Sequence, residues 1–372
     1  MKVLWKGYLG GLHSWSQVAQ NLSREFIRSN YEIDLFSTNG IKHFPDDLKS
    51  NLIAYVEDNK VLSKELENNK TYDVQCSYTA MSNFKNYFSK GDQNRLGIWC
   101  YEFSGKNALP TGFAKNHLFV DYILPPSAHA KQVFIDSGIP ERKVKIVPHG
   151  YGEEFINRTN KLNITKDQFV IGVNIAQPHL RKNISGIIES YFKAFTKKDD
   201  VVMLFKVSKS TTNKFDVDFD AVLNSYKAKY KNHPKIIVLS DYIEYISDFY
   251  RECDCILSLS HAESFLFPAL EALVSKKILI CSGYGGQLDF CNKNNSFQVP
   301  GKLIRANPNM LYWEQKPNTI VFEPDVSSAV DLLRLAYLNK DKISKDFDQE
   351  YNKIISEYTW NNAFKKMETL IK

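Results

Sequence analysis

The sequence has little cysteine and no long apolar run. Six cysteines are spread over 372 residues, and their spacing contains no C-x-x-C pair from which a zinc site could be built. We interpret them as reduced, buried thiols. No stretch approaches the roughly 18 apolar residues of a membrane-spanning helix. Lys6 and His13 interrupt the N-terminal segment, which makes a poor signal peptide. These absences predict a cytoplasmic protein.

A strong excess of charge of one sign is also missing. The chain has 48 Lys+Arg against 42 Asp+Glu, a net charge of +6, and no run of five basic residues. This pattern is not typical of a nucleic-acid-binding protein. The mild basic excess fits an anionic small-molecule ligand or weak association with a membrane surface.

The length and the pattern of apolar residues predict two α/β domains. At about 100–200 residues per domain, 372 residues exceed one ordinary core. Strand-length apolar runs alternate with helix-length amphipathic segments, which indicates parallel sheets joined by crossover helices. A polar segment, 153–167, interrupts this alternation. We interpret it as a linker between doubly wound, Rossmann-like domains at residues 1–152 and 168–354.

Predicted strands locate the loops in which a ligand would bind. Strands are expected at residues 3–5, 32–36, 52–55, 74–78, 96–100, 122–125, 145–147, 169–173, 201–206, 236–239, 255–259 and 278–281. The tail is expected to be helical at 327–337 and 342–371. In open parallel sheets, ligands bind beyond the carboxyl ends of the strands. Loops that follow strands are therefore the informative segments.

The most specific motif follows the predicted strand 255–259. Residues 261–273 read H-A-E-S-F-L-F-P-A-L-E-A-L. Pro268 suits the first turn of a helix, because its missing N–H would have no partner there. The amides before it are then available to an anion or a sugar hydroxyl. Glu271 lies three residues after Pro268, so Glu263 and Glu271 can line one cleft.

Charged residues near this motif leave alternatives open. Glu271 has apolar neighbours on both sides, and an ionised carboxylate there is costly without a partner. Two vicinal ribose hydroxyls would satisfy it, and so would an ion pair or solvent at a cleft edge. Arg181 and Lys182 precede a predicted helix at 184–195. They form either an anion site or an ordinary solvated helix start.

The spacing E-x7-E, from Glu263 to Glu271, resembles the signature of glycosyltransferase family 4. Other segments agree with that family in order and spacing: F-Y-R-E-C-D at 249–254, S-G-Y-G-G at 282–286, V-P-H-G-Y at 147–151 and Y-T-W at 358–360. The resemblance implies a GT-B fold, in which two Rossmann-like domains face each other across a cleft. It also implies a C-terminal helix, about 355–372, that crosses back to the first domain.

The resemblance implies a retaining, metal-independent hexosyltransferase that uses a nucleotide sugar. By matching positions, Glu263 would contact the donor sugar, Glu271 the ribose, and Lys182 with Arg181 the phosphates. Glu263, Lys182 and Arg181 are then the catalytic candidates. The other donor-binding candidates are Gly10, Gly11, Gln177, Asp241, Tyr242, Ser264, Phe265, Leu266 and Phe267. As donors, GDP-mannose ranks first and UDP-glucose second. Hinge closure around the donor is expected.

The sequence departs from the family pattern at three positions. Gln177 stands where an arginine is usual, and Arg181 is the nearby substitute. Ser264 and Leu266 stand where E-G-F-G has glycines, so the backbone is expected to reach the sugar without positive φ at either residue. These departures keep open a non-catalytic nucleotide-sugar-binding protein. A sugar-nucleotide epimerase on the same fold is a further alternative.

The sequence signals for an acceptor site are less specific than those for the donor site. Gly10 and Gly11 follow the first predicted strand, where paired glycines let a backbone approach a ligand closely. His13 and Glu102 are acceptor candidates, although a lone histidine is more often structural. The acceptor class stays open among glycans, lipids and protein-linked sugars. The oligomeric state is also open, although homodimers are common among such enzymes.

One motif points to a different chemistry. D-x-D occurs twice in residues 216–220, and in the unrelated GT-A enzymes this motif binds a metal–diphosphate. It lies where a helix is predicted to begin, and acidic residues at a helix start ordinarily serve as caps. A polar stretch, 209–214, precedes it. We therefore expect capping here and no metal cofactor.

Overall fold

The computed structural model describes residues 1–63, 71–89, 94–165, 167–208, 216–311 and 316–371. The chain forms two compact units. The first comprises Met1–Tyr101, Lys106–Gly150 and Tyr358–Lys372, and the second comprises Glu102–Gly105 and Tyr151–Glu357. Helices and strands are numbered along the chain.

The first unit is built on one twisted sheet. Its strands are β1 (Lys2–Gly7), β2 (Glu32–Ser37), β3 (Leu52–Glu57), β4 (Lys60–Ser63), β5 (Val74–Tyr78), β6 (Arg95–Ile98) and β7 (Tyr122–Leu124). Their order across the sheet is β4-β3-β2-β1-β5-β6-β7. All pairs are parallel except β3 with β4. Without the antiparallel edge strand β4, this is the 3-2-1-4-5-6 order of a Rossmann-like domain.

The helices of the first unit include the last helix of the chain. They are α1 (Ser14–Arg28), α2 (Phe84–Tyr87), α3 (Ala128–Asp136) and α10 (Trp360–Glu368). Phe364 of α10 packs edge-on against Phe26 of α1, with ring centroids 4.9 Å apart. Thr359 caps α10 by accepting a hydrogen bond from the Asn362 amide at 3.1 Å. The predicted association of the C-terminal helix with the first domain is therefore confirmed.

The second unit has the same strand order. Its strands are β8 (Phe169–Ile175), β9 (Val201–Val207), β10 (Lys235–Leu239), β11 (Cys255–Ser258), β12 (Ile278–Ser282) and β13 (Phe297–Val299). They are parallel, in the order β10-β9-β8-β11-β12-β13. A ribbon of β14 (Gly301–Arg305) and β15 (Ile320–Pro324) is antiparallel. The direction of strand addition reverses between β8 and β11, which is where a doubly wound sheet opens a crevice for a ligand.

Helices cover the second sheet. They are α4 (Glu154–Asn157), α5 (Ile184–Ala194), α6 (Phe219–Lys229), α7 (Ile246–Glu252), α8 (Phe267–Val274) and α9 (Val326–Glu357). Strand β8 is buried along almost its whole length, as expected of a central parallel strand covered on both faces. Asn339 has non-helical φ and ψ and kinks α9. No described helix is both long and apolar enough to cross a membrane.

Some sequence predictions were wrong in detail. Residues 145–147 form no strand: Val144 makes an isolated bridge to Ile123, and no ladder extends from it. Pro148 follows directly and has no N–H to donate to a ladder. The strands β4, β13, β14 and β15 were not predicted. β4 and β13 have only four and three residues, and β14 has two adjacent apolar residues. β15 contains the apolar run 320–322, which was missed. The six cysteines form no disulfide, and five of them are buried.

The polar segment after Gly152 is fixed to the second unit. The Glu252 carboxylate accepts hydrogen bonds from the amides of Asn163, Ile164 and Thr165 at 2.8–2.9 Å and from the Thr165 hydroxyl at 2.7 Å. Arg251 donates to the carbonyl oxygens of Glu154 and Phe155. Helix α7 therefore holds this segment at both ends.

Glu252 should stabilise the second unit in a pH-dependent way. Burial raises the pKa of Glu252, but hydrogen bonds from Thr165, Ile164 and Asn163 outweigh it and lower that pKa overall. Because the folded pKa is lowered, the stabilisation is present above the unfolded value of about 4.3 and is lost as the pH falls through the folded value. We expect Glu252→Gln to lower the free energy of unfolding by about 2 kcal/mol at pH 7.

Urea titrations at several pH values measure this contribution. The difference between wild type and Glu252→Gln should shrink below about pH 4. Asp341 is an exposed acid on α9, and Asp341→Asn should change the free energy of unfolding by less than about 0.5 kcal/mol. A difference for Glu252→Gln that stays constant down to the acid limit would contradict the assignment.

Candidate functional site

Two neighbouring strands of the second unit end beside each other and lead into charged loops. Strand β8 is followed by a short 3-10 turn, Leu180–Lys182, and then by α5. Strand β11 is followed by the loop that carries Glu263, and then by α8. Because β8 and β11 flank the point where strand order reverses, their carboxyl ends form the crevice expected to hold a ligand.

Glu263 lies at the centre of a buried cluster of charges. It is 6% exposed, and its Oε1 atom lies 2.6 Å from Lys182 Nζ and 3.0 Å from Arg181 Nη1. Arg181 also lies 3.5 Å from a carboxylate oxygen of Glu102 and donates to the Ala262 carbonyl at 2.7 Å. The structure therefore brings the three catalytic candidates into direct contact.

The two cations determine the protonation state of Glu263. Burial raises the pKa of Glu263, but Arg181 and Lys182 outweigh that effect and hold the pKa at about 2. The carboxylate is thus ionised at every physiological pH. Removing one partner from such a cluster leaves a buried charge uncompensated, which is strongly destabilising.

Local backbone interactions position Arg181 and Lys182. His179 caps the 3-10 turn, with its Nδ1 accepting from the Arg181 amide at 3.0 Å. Burial lowers the pKa of His179 to about 4, which keeps its ring neutral and able to accept. Asn183 adopts a left-handed conformation, caps α5 and donates to the Leu259 carbonyl at 3.0 Å. The turn is thereby tied to the end of β11.

Gln177 binds the first aspartate of the D-x-D motif. Its side-chain amide donates to Asp216 at 2.9 Å. Asp218 caps α6 by accepting from the Ala221 amide at 2.9 Å, so the prediction of capping is confirmed for this residue. The preceding stretch, 209–214, lies outside the described residues. Two of the motif's carboxylates thus have roles within the fold.

The loop before α8 contains an unusual backbone conformation. Leu266 is the N-cap of α8, with φ 68° and ψ 73°. The expectation of a path without positive φ is therefore wrong at Leu266, whereas Ser264 is not among the positive-φ residues. A left-handed conformation costs a residue with a Cβ about 1–2 kcal/mol. Burial of the Leu266 side chain, which is 4% exposed, offsets that cost. Phe265 and Phe267 lie on either side, and their rings are in contact.

Glu271 sits in a different environment from Glu263. It is buried in α8, and its Oε2 accepts from the Tyr250 hydroxyl at 2.5 Å. Burial raises the pKa of Glu271 to about 7, the Tyr250 hydrogen bond opposes the rise, and the charge of Glu154 adds to it. Within the described residues no cation pairs with Glu271. Of the alternatives left open by the sequence, an internal ion pair is therefore not what the structure shows.

The turn after β10 carries the two remaining donor candidates of this unit. Asp241 is exposed, and Tyr242 is 68% exposed. Burial lowers the pKa of Lys206 on β9, and the charge of Asp241 counteracts that effect. An exposed aromatic ring at the carboxyl end of a strand is available to a planar ligand.

The candidates of the first unit have roles within the fold. A Cβ at Gly10 would overlap the carbonyl oxygen of Gly40, so this glycine permits close approach of the chain to itself. The Asn39 side chain also accepts from the Gly10 amide at 2.8 Å. His13 caps α1 by accepting from the Ser16 amide at 3.3 Å, and burial lowers its pKa. A Cβ at Gly11 would meet the His13 ring.

Glu102 belongs to the second unit. It follows β6 in sequence, but the segment Glu102–Gly105 packs with Tyr151–Glu357. Ser104 exchanges backbone hydrogen bonds with Ile320 of β15, at 2.8 and 3.2 Å. Glu102 was predicted to lie on the acceptor side. The structure places it beside Arg181, a donor-site candidate.

Sequence reasoning gave no role to several residues that shape this site. His179 positions Arg181, and Tyr250 and Asn174 form a hydrogen-bonded chain that ends at Glu271. Tyr250 lies within the segment 249–254 that matches the family pattern. The sequence therefore pointed to this residue, but not to its contact with Glu271. Asn174 is a polar residue inside the apolar run of β8, and that pattern could have identified it as a candidate site residue.

Comparison with known proteins identifies the fold. No protein-family model and no curated protein matches the sequence. Among solved structures, a glycosyltransferase from Rickettsia africae is similar over 99% of this chain and 97% of its own, with 16% identity and a TM-score of 0.72. Sucrose-phosphate synthase from Thermosynechococcus elongatus covers 100% of this chain and 98% of its own, with 11% identity and a TM-score of 0.70.

A third solved structure contains ligands. Anabaena Alr3699/HepE, in complex with UDP and glucose, is similar over 100% of this chain and 99% of its own, with 12% identity and a TM-score of 0.71. With the two parallel sheets, these similarities confirm the predicted α/β GT-B fold class. Because the sequence identities are this low, the similarity establishes the fold alone.

The left-handed conformation of Leu266 predicts an unusual order of stabilities. Leu266→Ala and Leu266→Gly both lose the buried side chain, at a cost of about 2–5 kcal/mol. Glycine alone also relieves the left-handed backbone. We expect Leu266→Gly to have a free energy of unfolding about 1 kcal/mol higher than Leu266→Ala, measured by urea denaturation.

Leu270 is the matched control, because it is buried inside the same helix α8. In a helix interior glycine is worse than alanine, so Leu270→Gly should be about 1 kcal/mol less stable than Leu270→Ala. If both positions favoured alanine, Leu266 would not hold the left-handed conformation.

Proposed function

We propose that this protein is a retaining glycosyltransferase that transfers a hexose from a nucleoside-diphosphate sugar to a hydroxyl acceptor. The observation that carries the proposal is the buried cluster of Glu263, Arg181 and Lys182 where strand order reverses. Such a position in a doubly wound sheet suits a nucleotide, and two adjacent cations suit its phosphates. The GT-B fold and the E-x7-E spacing support the same function.

The cluster has the charges that departure of a diphosphate requires. As the bond to the sugar breaks, negative charge develops on the leaving phosphate, and fixed cations stabilise it. Lys182 and Arg181 supply these cations. In the structure, both cations are paired with Glu263. A bound diphosphate offers them a second anionic partner and leaves the Glu263 oxygens available to sugar hydroxyls.

Glu263 is suited to orient the sugar and not to transfer protons. Its pKa of about 2 keeps it ionised, and its two cationic partners reduce its nucleophilicity. We therefore assign no enzymic nucleophile. In the proposed front-face reaction, the bond from C1 to the phosphate oxygen breaks and the bond from C1 to the acceptor oxygen forms on the same face. The acceptor proton passes to the departing phosphate oxygen.

The donor remains to be chosen by experiment. GDP-mannose is our first expectation and UDP-glucose the second, and the complexes of Alr3699/HepE with UDP and UDP-glucose support including uridine donors. A thermal-shift panel of GDP, UDP and their sugars identifies the preferred donor, since a bound ligand raises the apparent stability by mass action. We propose that transfer needs no metal, so excess EDTA should leave the rate unchanged.

Glu263→Gln and Lys182→Met should each reduce kcat/KM for sugar transfer by about 100-fold or more. The first removes the carboxylate that orients the sugar, and the second removes a cation from the leaving group. Initial rates with the preferred donor measure the effect. Loss of a charge from the cluster also lowers stability, so circular dichroism should verify the fold at the assay temperature.

Matched controls come from an ion pair on α5 that lies outside the site. Lys193 lies 2.8 Å from Glu189, so Lys193→Met and Glu189→Gln remove the same charges outside the site. Both should keep wild-type rates. Wild-type turnover in Glu263→Gln and Lys182→Met would contradict the site. Turnover of donor to an epimer without acceptor would indicate an epimerase, and donor binding without any turnover would indicate a binding protein.

A further inference from the structure

A buried chain of hydrogen bonds ends at Glu271. Tyr250 of α7 is fully buried, and its hydroxyl lies 2.5 Å from Glu271 Oε2 and 3.1 Å from Asn174 Nδ2. Asn174 is on β8, the strand beside the reversal of strand order. Three elements, β8, α7 and α8, therefore each contribute one residue to the chain.

The chemistry of these groups fixes the direction of the hydrogen bonds. The Asn174 NH₂ group can only donate, so the Tyr250 oxygen accepts from it. The single hydroxyl proton of Tyr250 is then directed to Glu271. Such a bond favours an ionised carboxylate over a protonated one. It uses one acceptor site of Oε2 and leaves the other site of Oε2 and both sites of Oε1 to accept hydrogen bonds from a ligand.

We propose that Tyr250, oriented by Asn174, is a positioning residue that holds Glu271 as an ionised acceptor for the two vicinal hydroxyls of the donor's ribose. This inference rests on the proposed function, because it requires a nucleotide at the carboxyl end of β8. It predicts that Tyr250 contributes to nucleotide affinity through the ribose hydroxyls and not through the phosphates or the base.

Few charges act on Glu271 within the described residues. Glu154 of α4 raises its pKa, and Tyr250 of α7 lowers it. Arg251, also on α7, interacts with Glu154 and lowers the pKa of that neighbour, which burial raises. Burial is the largest effect and brings the pKa of Glu271 to about 7. Loss of the Tyr250 hydroxyl removes a lowering effect, so the pKa of Glu271 rises and the carboxyl is more protonated at pH 7.

The test is to measure nucleotide binding by calorimetry with and without the ribose hydroxyls. The ligands are UDP and GDP, each compared with its 2′,3′-dideoxy counterpart. Wild type should bind the ribonucleotide more tightly. At pH 7, Tyr250→Phe should weaken binding of the ribonucleotide about tenfold and leave binding of the dideoxynucleotide unchanged. Because the pKa of Glu271 is higher in the variant, its ribonucleotide affinity should recover as the pH is raised above 7.

Tyr191→Phe is the matched control. Tyr191 is also fully buried in the second unit, and its hydroxyl donates to the Lys235 carbonyl at 2.8 Å. It should keep the wild-type preference for the ribonucleotide at every pH. Asn174→Ala is a second variant, which keeps the Tyr250 hydroxyl but releases its orientation. We expect Asn174→Ala to lose less ribonucleotide affinity than Tyr250→Phe and to keep its affinity for the dideoxynucleotide. The proposal therefore stays testable if Tyr250→Phe does not fold.

The outcomes separate this inference from the proposed function. Equal weakening of the ribonucleotide and the dideoxynucleotide by Tyr250→Phe would show a structural role and overturn the inference. Equal affinity of wild type for the two ligands would also overturn it, because the ribose hydroxyls would then contribute nothing to binding. Failure of wild type to bind any nucleoside diphosphate would instead contradict the proposed function.

Discussion

The contact between Glu263 and its two cations is the constraint on which the second unit's site depends. Arg181 and Lys182 come from the loop after β8, and Glu263 comes from the loop after β11. Their charges are buried, so separating the loops would leave charge without compensation in a medium of low dielectric. The ion pairs therefore hold the two loops in register, and the order of the strands brings those loops together.

One sequence motif contains two glutamates with opposite electrostatic behaviour. Cations hold the pKa of Glu263 at about 2. Burial raises the pKa of Glu271 to about 7, and the hydrogen bond from its neutral partner Tyr250 offsets only part of that rise. The same type of side chain is thus a permanent anion at position 263 and a titratable hydrogen-bond acceptor at position 271. This difference fits the separate roles proposed for them, toward a sugar held among charges and toward a neutral ribose.

Local sequence patterns predicted the fold class and most strands of both sheets, because buried parallel strands read as continuous apolar runs. Three features could not be predicted in this way. Glu102 meets Arg181 across 78 intervening positions, and only tertiary packing brings them together. Leu266 adopts a conformation that its side chain disfavours, which burial makes tolerable. Tyr250 was located by its motif, but its partner lies on another helix.

The residue at position 177 shows how such packing changes a site. An arginine there would add a third cation to the neighbourhood of Arg181 and Lys182. Gln177 adds none, and it binds the carboxylate of Asp216. Two cations then face two carboxylates, Glu102 and Glu263, so the cluster is formally neutral. Under the proposed function, a diphosphate therefore competes with Glu263 for the same two cations, and the net gain from its binding is smaller than two unpaired cations would give.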